Sequence, residues 1–258
     1  MEDKTIRCST HRRRRVWLLV AAALLLALIA GSWIYLADYY HADETARAAL
    51  RTQTQAVQVV QTADRVDFVP REPGAGLIFY PGGKVEFTAY APLMQACAAR
   101  GVLCVLLRVP ANLAVLDVNA ADGVAADYPE ITRWYVGGHS LGGTIAAQYA
   151  ADHADALAGV ILLGAYATSD LSGTQLQVLS VYGSEDGVMN RGRYASNREN
   201  LPDDIEEVVI PGGCHSWFGS YGLQSGDGTP AITPEAQIAQ TADAVARLAV
   251  PETLAGAA

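Results

Sequence analysis

From Val16 to Ala37 the chain reads VWLLVAAALLLALIAGSWIYLA, 22 positions, nearly all apolar and none charged. As a helix this stretch would be about 33 Å long at ~1.5 Å per residue, enough to cross a bilayer's hydrocarbon core. Trp17 stands at one end, and Trp33, Tyr35, Tyr39 and Tyr40 gather at the other, as amphipathic rings do at two membrane interfaces. A core helix would carry a polar face, and this one has none. A cleaved secretory signal is the competing reading, but its apolar run is typically about 7–15 residues and ends on small residues. Here Leu28-Ile29-Ala30 and Tyr35-Leu36-Ala37 place a large side chain where a small one is wanted. The expectation is an uncleaved single-pass anchor.

Beyond the anchor the pattern shortens. Asp43 to Thr54 reads as a polar helix or spacer. Gln55 to Val60 and Arg65 to Val69 alternate apolar with polar residues, as half-exposed edge strands do. Six brief apolar runs follow, at 76–80, 102–109, 133–136, 160–163, 176–182 and 208–210. Such runs suit strands buried on both faces of a parallel sheet. Helical stretches alternate with them: Phe87 to Arg100 closed by Gly101, a weaker one over Ala120 to Asp127, then Gly142 to His153 and Glu235 to Leu248. Strand–helix alternation predicts an α/β fold with a doubly wound, mostly parallel sheet, preceded by one transmembrane helix. About a dozen residues separate the runs at 160 and 176, too few for a cap domain there. The expected organisation is 1–15 a cytoplasmic basic segment, 16–37 the anchor, 38–64 a juxtamembrane spacer and first edge strand, 65–250 one catalytic domain, and 251–258 a tail.

Charge sets the orientation. Lys4, Arg7 and Arg12 to Arg15 against Glu2 and Asp3 make the first fifteen residues +4, leaving −13 on the remainder of a chain whose net charge is −9. The basic run before Val16 predicts a cytoplasmic N-terminus and a body on the other side of the membrane. An acidic body argues against nucleic acid as a partner. Cys8, Cys97, Cys104 and Cys214 contain no C-x-x-C pair, so no metal or cofactor site is expected. Cys97 and Cys104 read as buried small residues, with a disulfide between them left open.

The chemistry centres on Gly138-His139-Ser140-Leu141-Gly142-Gly143, which follows an apolar strand and opens an Ala-rich helix. A strand, a sharp turn and a helix around G-x-S-x-G hold the serine hydroxyl exposed on a strained backbone. The helix start offers unpaired N–H groups where negative charge develops. A serine needs a base, and the base an orienting carboxylate. Of the five histidines, His11 and His41 flank the anchor, His139 points away from its neighbour, and His153 lies down the helix. His215, just past the run at 208–210, is the candidate base. Val181-Tyr182-Gly183-Ser184-Glu185-Asp186-Gly187 puts two carboxylates past a strand end. Asp186 is the candidate acid and Glu185 its competitor. Lys84 and Glu86 are candidate pocket residues or solvated charges. Trp217, Phe218 and Tyr221 read equally as pocket wall or core.

On FYPGG, GGHSLGG, VYGSEDGV and PGGCHSWFGSYG, spread over about Leu77 to Leu248, the chain resembles the α/β-hydrolase superfamily, and within it the small lidless branch near the dienelactone hydrolases. The resemblance implies an oxyanion hole made by the backbone N–H groups of Gly83 and Leu141. Dienelactone hydrolases use a Cys nucleophile where this chain has Ser140, so their substrate does not carry over. The resulting expectation is a serine hydrolase cleaving an ester or related acyl bond of a small or lipid-like molecule. A noncatalytic binding or sensing module of the same fold and an acyltransferase are the competing classes.

Overall fold

The computed structural model describes residues 3–250, with side chains from Arg14 onward. The tail expected at 251–258 and the side chains of the basic segment before Arg14 lie outside the described residues. The chain forms two compact units, one ending at Tyr39 and the other beginning at Tyr40.

The first unit is the helix α1, Asp3–Ala37. Within it Arg14–Ala37, 24 residues of mean hydropathy 2.3, is long and apolar enough to cross a membrane.

The second unit is an α/β layer structure around one sheet. Its strands are β1 (Val57–Gln61), β2 (Arg65–Pro70), β3 (Ala75–Tyr80), β4 (Val102–Leu107), β5 (Trp134–His139), β6 (Gly159–Leu163), β7 (Gln177–Gly183) and β8 (Ile205–Ile210), arranged β1-β2-β4-β3-β5-β6-β7-β8. β1 and β2 pair antiparallel, as do β2 and β4, and every other pairing is parallel. The continuous apolar runs have their cause here: β3, β4, β5 and β6 are buried at every position. Burial of each large side chain contributes roughly 1.5–3 kcal/mol.

Helices cover both faces. α2 (Glu44–Arg51), α3 (Ala91–Ala98) and α6 (Pro234–Ala249) pack on one side, with Phe79, Tyr90, Phe218 and Leu163 in the layer between. α4 (Leu141–Asp152) covers the other, over Ile78, Tyr80, Val136 and Leu162. Asp43 caps α2 by accepting from Ala46 N–H at 3.0 Å, and Gly101 ends the α3 region at φ +87°, a conformation that favours glycine. The short α5 (Arg191–Ser196) had no sequence signal.

Two expectations change. The helix expected over Ala120 to Asp127 is reduced to one 3-10 turn at Val124–Asp127, because Gly123 at φ +78° breaks the run. The stretch 38–64 is divided, since Tyr40 onward packs into the second unit and only Asp38 and Tyr39 go with the helix. Leu163 and Gln177 are joined by a short irregular segment, 164–176. Cys97, Cys104 and Cys214 are buried free thiols.

Candidate active site

The order β4-β3-β5 makes the β3/β5 pair the point where the winding of the sheet reverses. Ligands bind outside the carboxyl ends of strands at such a point. The loop after β3 carries Gly82 and Gly83, and the turn after β5 carries Ser140.

Ser140 has φ 52°, ψ −122°, a strained conformation for a residue with a side chain. The glycines around it explain how the turn closes. A Cβ on Gly142 would lie 2.3 Å from the carbonyl oxygens of Tyr80 and Pro81, and one on Gly138 would lie 2.5 Å from the carbonyl carbon of Gly142. Ser140 N–H donates to Leu163 O at 2.9 Å, tying the turn to β6. Its side chain opens into a cavity of about 380 Å3 with Leu141, Val188 and Met189 as apolar lining and Thr144, Thr168 and Arg193 among the polar groups.

His215 and Asp186 meet beside this cavity. His215 Nδ1 is 2.9 Å from Asp186 Oδ2, and both side chains are almost wholly buried. A carboxylate only accepts, so Nδ1 carries the proton. The other carboxylate oxygen, Oδ1, accepts from Val188 N–H at 3.0 Å and Met189 N–H at 2.8 Å, which fixes the acid. Glu185 is exposed, and its carboxylate accepts from Ser184 Oγ, so it faces away from the histidine. His215 Nε2 is buried and without a hydrogen-bond partner, and Ser140 and His215 are not hydrogen bonded. Bonds of that kind are often long in unliganded sites. Gly164, which also lines the cavity, connects them. A Cβ there would be 2.9 Å from His215 Nδ1 and 3.2 Å from Asp186 Oδ2.

The Gly83 and Leu141 positions are adjacent as well, since a Cβ on Gly83 would sit 2.9 Å from Leu141 Cδ2. Leu141 is the first residue of α4, where N–H groups have no intrahelical acceptor. Among the described residues, neither N–H donates to another group.

Three features were not legible in the sequence. Asp227, in the loop after β8, accepts from His215 N–H (3.1 Å), Gly187 N–H (3.2 Å) and Gly228 N–H (2.9 Å) on Oδ1. On Oδ2 it accepts from Ser216 N–H (2.8 Å) and Ser216 Oγ (2.6 Å). It therefore straps the loop of the acid to the loop of the histidine. Burial alone would raise its pKa, but the bonds from Ser216, His215 and Gly187 hold it below the ordinary range. Second, Tyr90 Oη accepts from Gly82 N–H at 3.1 Å and sits 2.8 Å from His139 Nδ1. Third, the His139 ring lies against His215 at 4.4 Å between centroids. Burial, with His215 as a second cause, holds His139 well below the usual histidine pKa and so neutral. A neutral imidazole carries one N–H, so the tautomer of His139 sets which way the proton points in its contact with the Tyr90 hydroxyl.

The other candidates fall elsewhere. Phe218 and Tyr221 are core residues, and Trp217 lines a separate cavity of about 290 Å3 between α2, α3 and α6. Glu86 is a structural brace, with Oε2 accepting from Ala42 N–H at 3.0 Å and Oε1 from Thr88 Oγ1 at 2.7 Å. Lys84 adopts φ 57° in the turn after Gly83. Among the described residues no cluster of His, Cys, Asp and Glu could hold a metal.

A serine on a strand–turn–helix elbow, beside a buried histidine–carboxylate pair at the switch point of a mostly parallel sheet, defines an α/β-hydrolase fold. The chain belongs to the alpha/beta hydrolase family, whose model matches residues 76–239, more than half of its length. Solved structures agree on the fold. Dienelactone hydrolase from Anabaena variabilis superposes with a TM-score of 0.57 at 15% identity, covering 75% of this chain and 97% of that one. A soluble variant of monoglyceride lipase from Saccharomyces cerevisiae gives 0.55 at 11% identity, covering 78% and 96%. Est1E from Butyrivibrio proteoclasticus gives 0.52 at 14%, covering 75% and 99%. Comparison with curated proteins finds no match.

Proposed function

We propose that this protein is a membrane-anchored serine hydrolase acting on ester or related acyl bonds. The observation that carries the reading is the strained Ser140 turn on a cavity whose lining includes Gly164, which lies directly against the buried Asp186–His215 pair. In the reaction, Ser140 Oγ attacks the substrate carbonyl and its proton passes to His215 Nε2, the ring nitrogen without a partner. Asp186 holds the tautomer through Nδ1 and stabilises the imidazolium. The carbonyl oxygen becomes an oxyanion, met by the N–H groups of Gly83 and Leu141, each worth about 3 kcal/mol in the transition state. The tetrahedral adduct collapses, the C–O bond to the leaving group breaks, and His215 Nε2 returns the proton to the departing oxygen. Water repeats the attack on the acyl-Ser140, with its proton passing through His215, and releases the acid.

The helix Arg14–Ala37 serves as the anchor. Its basic flank keeps the N-terminus in the cytoplasm, and the catalytic unit stands on the opposite side of the membrane. The substrate is a small or lipid-like ester, since the cavity lining mixes apolar side chains with a few hydroxyls.

The test is hydrolysis of a panel of p-nitrophenyl esters graded by acyl length, using the full chain and Ser140→Ala. Turnover that disappears in the variant, with acid as product even when an alcohol is added, is the expected result. A variant retaining more than a few percent of wild-type turnover would contradict the assignment, and transfer of the acyl group to the alcohol would make the protein a transferase.

A further inference from the structure

Tyr40 is the first residue of the compact second unit, separated from the end of α1 at Ala37 by Asp38 and Tyr39 alone. In the sequence it reads as part of a membrane-edge aromatic cluster. In the structure it pairs in parallel with Val85, in the loop that carries Gly82 and Gly83. Tyr40 N–H donates to Lys84 O at 2.8 Å, and Tyr40 O accepts from Glu86 N–H at 2.8 Å. On the next turn of chain, Ala42 N–H is held by the Glu86 carboxylate and Asp43 N–H donates to Ser220 O at 2.9 Å.

This loop needs such bracing. Lys84 has a left-handed φ of 57°, a conformation that strains a residue with a side chain. Its own N–H donates to Asn112 O at 2.8 Å, and Asn112 is itself left-handed at φ 55°. The Tyr40 backbone supplies the two hydrogen bonds that flank this strained turn on its far side. The Tyr40 side chain reaches the other half of the site. Its hydroxyl accepts from Ser225 N–H at 3.1 Å, in the loop that also holds Asp227. Its ring lies 5.6 Å from Tyr221, and contacts continue from Tyr221 to Tyr90 (6.4 Å), His139 (5.7 Å) and His215 (4.4 Å).

We infer that Tyr40 is a positioning residue: it fixes the Gly83 loop relative to the His215 loop, so the segment next to the anchor is part of the catalytic apparatus. The inference rests on Gly83 N–H being an oxyanion donor, as proposed above. A misplaced donor weakens the transition state selectively, so the loss should appear in kcat.

The experiment compares full-length wild type, Tyr40→Pro and Tyr40→Ala in detergent micelles, with p-nitrophenyl butyrate as substrate. A peptidyl boronate or trifluoromethyl ketone serves as transition-state mimic. Tyr40→Pro removes the N–H given to Lys84. Its kcat should fall tenfold or more, KM should change less than threefold, and mimic affinity should fall in step with kcat/KM. Tyr40→Ala keeps the backbone pairing but loses the hydroxyl and ring; it should cost kcat several-fold and speed amide exchange at Glu86. A folded Tyr40→Pro with kcat within twofold of wild type overturns the inference. If that variant does not fold, unchanged kcat and unchanged Glu86 exchange in Tyr40→Ala overturn it equally. A wild type inert toward every ester would instead sink the hydrolase reading.

Discussion

Asp227→Ala removes a carboxylate that accepts five hydrogen bonds, four of them from the Gly187 and His215–Ser216 segments. The cost follows from which donors water can reach afterwards. Gly187 and Gly228 are near the surface, and solvent replaces most of what they lose. Ser216 and His215 are buried, so their two N–H groups and the Ser216 hydroxyl hydrogen are stranded, at about 1–3 kcal/mol each. Three such donors imply a loss of roughly 3 kcal/mol or more, and at about 2–4 °C per kcal/mol for a domain of this size the midpoint should drop by at least about 6 °C. Activity should fall further than stability suggests. Asp227 holds the His215 loop to the loop of Asp186, and a shift of about 1 Å at a catalytic group can cost on the order of a hundredfold. The assay is thermal unfolding and ester hydrolysis of the full chain, with Glu130→Ala, an exposed acid, as control. An Asp227→Ala protein melting within 2 °C of wild type (about 1 kcal/mol or less) and keeping kcat within threefold would refute the strap.

Further outcomes follow from the same geometry. Gly142→Ala should destabilise the fold by about 2 kcal/mol or more, because its Cβ would press on two carbonyl oxygens at 2.3 Å; a midpoint equal to wild type in a thermal melt would contradict this. The folded state holds the Asp227 pKa below its unfolded value, so Asp227 stabilises above about pH 4 and this contribution is lost as pH falls through the folded pKa. Urea titrations from pH 6 to pH 2 should show wild type losing stability over a range where Asp227→Asn loses less, and parallel curves would argue otherwise. Burial, with Asp227 nearby, pushes the Cys214 thiol up to about 12, so iodoacetamide at pH 8 should leave Cys214 unmodified until the protein unfolds. Rapid alkylation in the folded state, located by mass spectrometry, would contradict that.

Much of the architecture was readable because it is local. Strands buried on both faces leave unbroken apolar runs: β3, β4, β6 and β7 lie within a residue or two of the runs that foretold them, and β5 continues three residues past its run, to His139. The Ser140 elbow is readable because its glycines are demanded by contacts within one turn. The Ala120 to Asp127 stretch misled for the converse reason: its alanines suit a helix, but one left-handed glycine ends it. Asp227 and Tyr40 escaped because their partners are remote in sequence. Asp227 sits in a glycine-rich loop with no motif around it, yet it contacts Gly187, 40 residues away. Tyr40 reads as a membrane-interface ring, and its hydroxyl partner is 185 residues away. His139 was set aside because a residue beside the nucleophile points away from it. That direction carries its ring onto His215 and Tyr90.

We propose Ser140 as an activated nucleophile served by His215. The most direct test is labelling of the full-length protein with a fluorophosphonate, located by mass spectrometry, beside Ser140→Ala and His215→Gln. One adduct is expected, on Ser140, absent from the alanine variant and formed at least about a hundredfold more slowly in the glutamine variant, as loss of a general base requires. A folded wild type that takes no label, or an adduct that persists in Ser140→Ala, would contradict it.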